Sequence, residues 1–225
     1  GVQTCALPIW EARRAWMGVR NLEPRRCPGD CGRAMTRSLE NIEDEMLVLR
    51  AQAGDAGAFE ALLRRWLPVI RRHASRLTGE VGVGGAGEDV AQEACLALAA
   101  GLRGLHDPAR AYGWMLRIVT NKAADWVRRR GRERELRRGL EAREPRGGGG
   151  DDLLERAASG ERAEMIRAAC ARLPMEMRAL VSLYYGEGLS VGALAEVMGV
   201  PGGTVKSRLH EAREQLRAML ERSGT

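Results

Sequence analysis

The sequence predicts an all-α protein, arranged as two small helical domains joined by a flexible linker. Three observations carry that expectation. Aromatic residues make up only 4% of the 225, with a single Phe, while Ala, Leu, Arg and Glu dominate, a composition that favours helices over strands. Apolar residues recur every three or four positions in successive blocks, the period of a helix with one buried face. Between residues 143 and 152 the chain reads REPRGGGGDD, where four consecutive glycines break the pattern and leave nothing from which to build a core.

The elements follow in chain order. Residues 1–9, GVQTCALPI, read like the translation of a common sequencing-adapter oligonucleotide. Residues 1–34 are therefore set aside as a non-native or untranslated leader, with Met35 preferred over Met17 as the natural start. The leader holds six Arg against three acids, so half of the net charge of +6 falls there and says little about partners. The first domain is expected over 38–140. Its first block, 38–77, places Leu47, Ala51, Phe59, Leu62, Leu63, Trp66 and Ile70 at helical spacing, interrupted at AGDAG (53–57). GEVGVGGAG (79–87) follows; it lacks the G-K-[ST] ending of a phosphate-binding loop and reads as a flexible connector. The second block, 88–105, puts Val90, Ala94, Leu98 and Leu102 on one face and Asp89, Gln92 and Glu93 on another.

The third block, 111–140, has Tyr112, Met115, Ile118, Val119 and Trp126 as its apolar positions and ends in a basic run. From Trp126 to Arg146 nine Arg stand against four Glu, which suits phosphate contact or an anionic partner, and equally a solvated helix end. The linker is placed at 141–160 and a second domain at 161–222. In that domain Val191, Leu194, Ala195 and Met198 form one short helix, with Ser190 as N-cap and Gly199 as the glycine that stops it. After Pro201, Gly202 and Gly203 a second helix carries Val205, Leu209, Ala212, Leu216 and Leu220 inward. Lys206, Ser207, His210, Glu211 and Glu214 fall on the opposite side. Two short helices joined this tightly read as a helix-turn-helix, whose second helix lies in the DNA major groove, or as a plain helical hairpin.

Several function classes find little support. No run approaches the roughly 18 apolar residues of a membrane span, so no membrane insertion is expected, and no long apolar segment resembles a secretory signal. Of the five Cys, Cys5, Cys27 and Cys31 fall in the leader. Cys95 and Cys170 stand singly inside helical patterns, as small buried hydrophobes do, and an unpaired inventory fits a reducing, cytoplasmic setting. Only three His occur (His73, His106 and His210), none beside a recognisable nucleophile motif. The acidic clusters at 42–45 and 87–89 suit helix starts better than a metal site. No enzyme, catalytic residue, metal or cofactor is therefore expected.

Read together, the blocks resemble a known family. LPMEMRALVSLYYGEGLSVGALAEVMGVPGGTVKSRLHEAREQL resembles region 4 of bacterial extracytoplasmic-function (ECF) sigma factors of the sigma-70 family. GDAGAFEALLRRWLPVIRRHASRLTG resembles the start of region 2, EDVAQEACLAL the region 2.2 helix, and YGWMLRIVTNKAADWVRRRGRERE regions 2.3 and 2.4. The resemblance implies a factor that directs core RNA polymerase to specific promoters and assists their melting. It implies docking of Asp89, Gln92 and Glu93 on the polymerase β′ coiled coil, and contact of region 4 with the β flap. It places Asn121, Lys122, Trp126, Arg128 and Arg129 on the −10 promoter element, with Tyr112 and Trp114 as further stacking surfaces unless they belong to the core. Thr204, Lys206, Ser207, Arg208, His210 and Glu211 fall on the −35 element; Glu211 stands where the family often has Arg, and there it can accept from a cytosine or pair with a neighbouring Arg. An anti-sigma factor, a cytoplasmic location and nucleoid association with polymerase are implied as well. The alternatives are a helix-turn-helix regulator that binds DNA without polymerase, which needs no docking helix, and a helical module that binds only protein.

Overall fold

The computed structural model describes residues 39–79, 85–140 and 159–223, all helices and short connections with no strand among them. The leader with its three Cys and the glycine-rich linker lie outside the described residues, except that the linker's last two positions already belong to a helix.

Helix α1 (Leu39–Gln52) turns at Gly54, whose φ of +99° is open to glycine at little cost, into α2 (Ala56–Thr78). Asp55 caps α2 by accepting from the Ala58 N–H at 3.0 Å, and that bond, with the Arg50 guanidinium, holds its carboxyl below the usual carboxylate range. Helix α3 (Ala86–Gly101) begins two residues earlier than its apolar stripe suggests. Its first turn includes Gly87, which lies so close to α2 that a Cβ would stand 2.8 Å from the Ser75 Cα. At least this glycine of the expected connector is a packing residue. Two 3₁₀ turns, Leu102–Gly104 and Pro108–Arg110, lead into α4 (Ala111–Leu140), which carries the basic run as far as Leu140. The second part comprises α5 (Ser159–Arg172), α6 (Met175–Val181), a π-helical turn Ser182–Gly186, α7 (Val191–Met198) and α8 (Gly202–Ser223).

The predicted stripes become the core. Leu62, Trp66 and Ile70 of α2, Val90, Ala94 and Leu98 of α3, and Met115 and Val119 of α4 are buried together. The sequence predicted two units, but the structure packs them into one continuous apolar cluster. Leu180, Leu183, Leu194, Val197, Val205 and Leu209 join the first domain's core, and a smaller cluster around Cys170, Leu173, Val181 and Ala212 lies under α5 and α8.

A polar seam runs along this junction. Glu187 is bridged by Arg76 at 2.7 Å and Arg72 at 3.1 Å; the Glu187 and Arg76 side chains are only 4% and 10% exposed. Arg178 donates to the carbonyls of Leu77 at 2.7 Å, Leu173 at 3.1 Å and Ala171, so one guanidinium serves the C-terminal ends of both α2 and α5, where helix carbonyls lack N–H partners. His73 is fully buried between Ser182 and Thr120. The Thr120 hydroxyl donates to the Leu116 carbonyl at 2.8 Å, so it can only accept from His73 Nε2–H at 3.0 Å. His73 Nδ1 is then the acceptor for the Ser182 hydroxyl at 2.8 Å, and the ring is neutral. Burial pushes its pKa down to about 3, with Arg76 and Arg72 adding to the shift.

Candidate nucleic-acid interface

The α3 stripe Val90–Ala94–Leu98 faces the core and turns Asp89, Gln92 and Glu93 outward: Asp89 and Gln92 are exposed and Glu93 is half-buried. Leu96, one turn further along the same face, is 72% exposed. A large apolar side chain beside three polar groups is the composition of a docking surface with an apolar anchor. Sequence reasoning passed over Leu96 because apolar helical residues default to the core. Its position off the 90–94–98 stripe is the signal that separates it.

On α4, Asn121, Arg128 and Arg129 are exposed, and Lys122 and Trp126 are partly covered. The cations do not stand alone. Arg129 donates to Glu93 Oε1 at 2.9 Å, Lys122 Nζ lies 3.9 Å from Glu93 Oε2, and Arg128 pairs with Asp125. With Arg132 these side chains line an open notch of about 410 Å³ between α3 and α4. Arg130 stacks over the Trp126 ring at 5.0 Å from its centroid, the geometry of a cation–π contact. Tyr112 and Trp114 pack at the core margin. A Cβ on Gly101 would stand 3.0 Å from the Trp114 ring, and burial pushes the Tyr112 hydroxyl up to about 12.

The helix-turn-helix is built as its caps dictate. The Ser190 hydroxyl accepts from the Ala193 N–H at 3.2 Å, and Gly199 ends α7 at φ +67° with its N–H on the Ala195 carbonyl. Val205, Leu209 and Ala212 are buried beneath α8, leaving Lys206, Ser207, His210 and Glu211 exposed on its outer side. Thr204 is half-covered and its carbonyl accepts from the Ser207 hydroxyl. Arg208 turns back to Glu176 of α6 at 2.6 Å, which ties α8 to its support. Glu211 accepts from Gln215 one turn on, not from an Arg. Helix α7 rests on α4: Gly113 lies against Val197, where a Cβ would stand at 3.6 Å in ordinary contact.

The seam also brings Ser182 and His73 together at the distance of a nucleophile–base pair. Both are fully buried, and the third partner is the Thr120 hydroxyl instead of a carboxylate, so the contact is one of packing. Among the described residues no group of three or more His, Cys, Asp or Glu is placed to hold a metal ion, and no helix is long and apolar enough to cross a membrane.

Known proteins share this arrangement. Residues 62–133 match the family described as Sigma-70 region 2, and residues 169–218 match Sigma-70, region 4. The RNA polymerase sigma-H factor of Pseudomonas aeruginosa is 31% identical over 190 residues, covering 81% of this chain and 96% of its own. The chain belongs to the ECF sigma factors of the sigma-70 family. The ECF sigma-E factor of Escherichia coli K12 is 30% identical over 183 residues (79% and 94% of the two chains), and the ECF sigma factor SigM of Mycobacterium tuberculosis is 33% identical over 181 (80% and 86%). Two solved structures share the fold. CnrH, solved with the cytosolic domain of CnrY, covers 80% of this chain at TM-score 0.57 and 24% identity. The sigma factor RpoE of Bartonella quintana, solved with the anti-sigma factor NepR, covers 72% at TM-score 0.54 and 25% identity; 97% and 96% of those chains are matched. As a member of this family the protein is an RNA polymerase sigma factor, acting in transcription initiation at specific promoters. A helix-turn-helix regulator without polymerase docking is not favoured, because the region 2 match spans α3 and α4.

Proposed function

We propose that this sigma factor docks on core polymerase through Asp89, Gln92 and Glu93 of α3, with Leu96 as the apolar anchor, and reads promoter DNA from two helices. The observation that carries the assignment is the α3 face itself: three polar groups and one exposed leucine in a single stripe, with the buried stripe directly behind it. Acid-to-Arg hydrogen bonds give such a face orientation on a basic partner helix, here the β′ coiled coil.

On α4, Asn121 offers a donor and an acceptor to a base edge, and Lys122, Arg128 and Arg129 hold phosphates of the −10 element. Trp126 supplies a stacking face, with Arg130 as its cationic partner. On α8, Lys206 and His210 face the −35 element with Ser207 and Thr204 beside them, while Arg208 acts through its pair with Glu176. Glu211 favours a cytosine amino group over a phosphate. Melting needs no hydrolysis and no catalytic residue, because binding of an extruded base offsets the opening of its pair. The domains divide at the linker after α4, the C-terminal domain also contacts the β flap, and the protein works in the cytoplasm, on the nucleoid when bound to polymerase. Two of its structural relatives were solved in complex with another protein, one of them named an anti-sigma factor, and this chain takes an anti-sigma partner.

The test is run-off transcription with purified protein, bacterial core polymerase and a pooled promoter library. Promoter-specific transcripts are expected from the wild type. Asp89→Arg is expected to lose core binding with its helical circular dichroism unchanged; undiminished assembly of that variant with core removes the docking assignment.

A further inference from the structure

One carboxylate stands in both assigned surfaces. Glu93 belongs to the α3 docking face, yet in the unbound chain it is bonded to Arg129 at 2.9 Å and lies 3.9 Å from Lys122, two of the cations assigned to the −10 phosphates. We propose that Glu93 is a coupling residue: it neutralises the α4 phosphate site while the sigma factor is free, and gives up Arg129 and Lys122 to DNA when it docks on core polymerase. This rests on the reading above and adds to it the residue through which docking and strand capture are linked.

The geometry supports an exchange of partners. The Glu93 side chain is 37% exposed, Lys122 36% and Arg129 49%, so the pairs are accessible to a competing macromolecule and are not locked in the core. The Glu93 hydrogen bond is also the main cause of the raised Arg129 pKa. A carboxylate has a limited set of acceptor sites, and those bonded to Arg129 are not available to a donor on the polymerase. Exposed pairs of this type are weak, so the device is a bias and not a lock. By linkage, the cost of opening the Glu93 pairs is borne once when core and strand both bind, so each improves the other's affinity by the same factor.

The experiment measures binding of a fluorescein-labelled (dT)12 single strand to the full chain without polymerase, across a salt series. Glu93→Gln is expected to tighten binding about two- to fivefold at low salt. Its salt dependence is expected to steepen by about 0.7–1.4 in the log–log slope, as one or two further phosphates are neutralised. Glu60→Gln, which removes an acid paired with Arg64 on the exposed side of α2, controls for net charge and is expected to leave binding unchanged. In an Arg129→Gln background the gain from Glu93→Gln is expected to shrink, the non-additivity of a coupled pair. Equal gains from Glu93→Gln and Glu60→Gln, or a gain that survives the Arg129 change in full, overturn the coupling. Wild-type binding that Glu93→Gln does not alter removes the coupling alone. If neither protein binds the strand, the α4 assignment falls as well.

Discussion

Two acids in this molecule each hold two cations, and they differ in almost everything else. Glu187 lies in the seam between the two helical units, 4% exposed, bridged by Arg76 and Arg72. Glu93 lies at the rim of the α4 notch, 37% exposed, with Arg129 and Lys122. Water screens the second set, so its pairs exchange readily and contribute little to folding. In the first, Glu187 and Arg76 are largely removed from water while Arg72 reaches solvent, and losing the carboxylate removes the counter-charge that both guanidinium groups share. The same residue types therefore serve cohesion in one place and exchange in the other, and burial decides which.

That contrast can be broken experimentally. The largest effect is expected from Glu187→Ala, a loss of about 3 kcal/mol in urea unfolding, whereas Glu93→Ala is expected to stay within about 1 kcal/mol of wild type. Comparable losses for the two would mean that burial is not what separates them.

Next is pH. The neutral, buried His73 has its pKa depressed from 6.5 to about 3, so between those values the unfolded chain binds more protons than the folded one. Its contribution is complete above pH 6.5 and is lost as pH falls toward 3, with a slope of up to about 1.4 kcal/mol per pH unit. Unfolding free energies from pH 7 to pH 4 should follow that slope in the wild type and run flatter in His73→Gln.

A smaller effect on binding, with none on folding, is expected at Leu96. Leu96→Ala should weaken core polymerase binding about tenfold while moving stability by less than about 0.5 kcal/mol. A matching loss of stability would return Leu96 to the core. The smallest change is expected from Glu176→Gln, which frees Arg208: stability should shift by under about 1 kcal/mol, measured by thermal melting.

Much of the fold was legible because helical periodicity is local. Val90, Ala94 and Leu98 are buried as their spacing requires, Ser190 caps α7 with its hydroxyl, and Gly199 ends it at a positive φ that the lack of a side chain permits. What could not be read was the relation between distant segments. Glu187 meets Arg72 and Arg76 across more than 100 residues, and charges on a helix read alone suggest a solvated face. Gly87 looked like part of a flexible connector because its reason, the Ser75 backbone, lies on another helix. The candidate residues were legible as the outward sides of α3, α4 and α8, open at Asp89, Gln92, Asn121 and Lys206 and partly covered at Glu93, Lys122 and Thr204. Its internal pairing, Glu93 with Arg129 and Arg208 with Glu176, depends on how the helices cross.

The seam bears on any ligand that needs the two units apart. Promoter elements centred about 25 base pairs from each other lie about 85 Å apart along B-form DNA. Here α7 rests directly on α4. A closed arrangement favoured by about 3 kcal/mol leaves roughly one molecule in 150 open at any moment, and a partner that accepts only the open form sees its affinity lowered by that factor. A partner that accepts the closed form meets no such dilution, so the apolar contacts and the ion cluster of the seam together set the competition between the two.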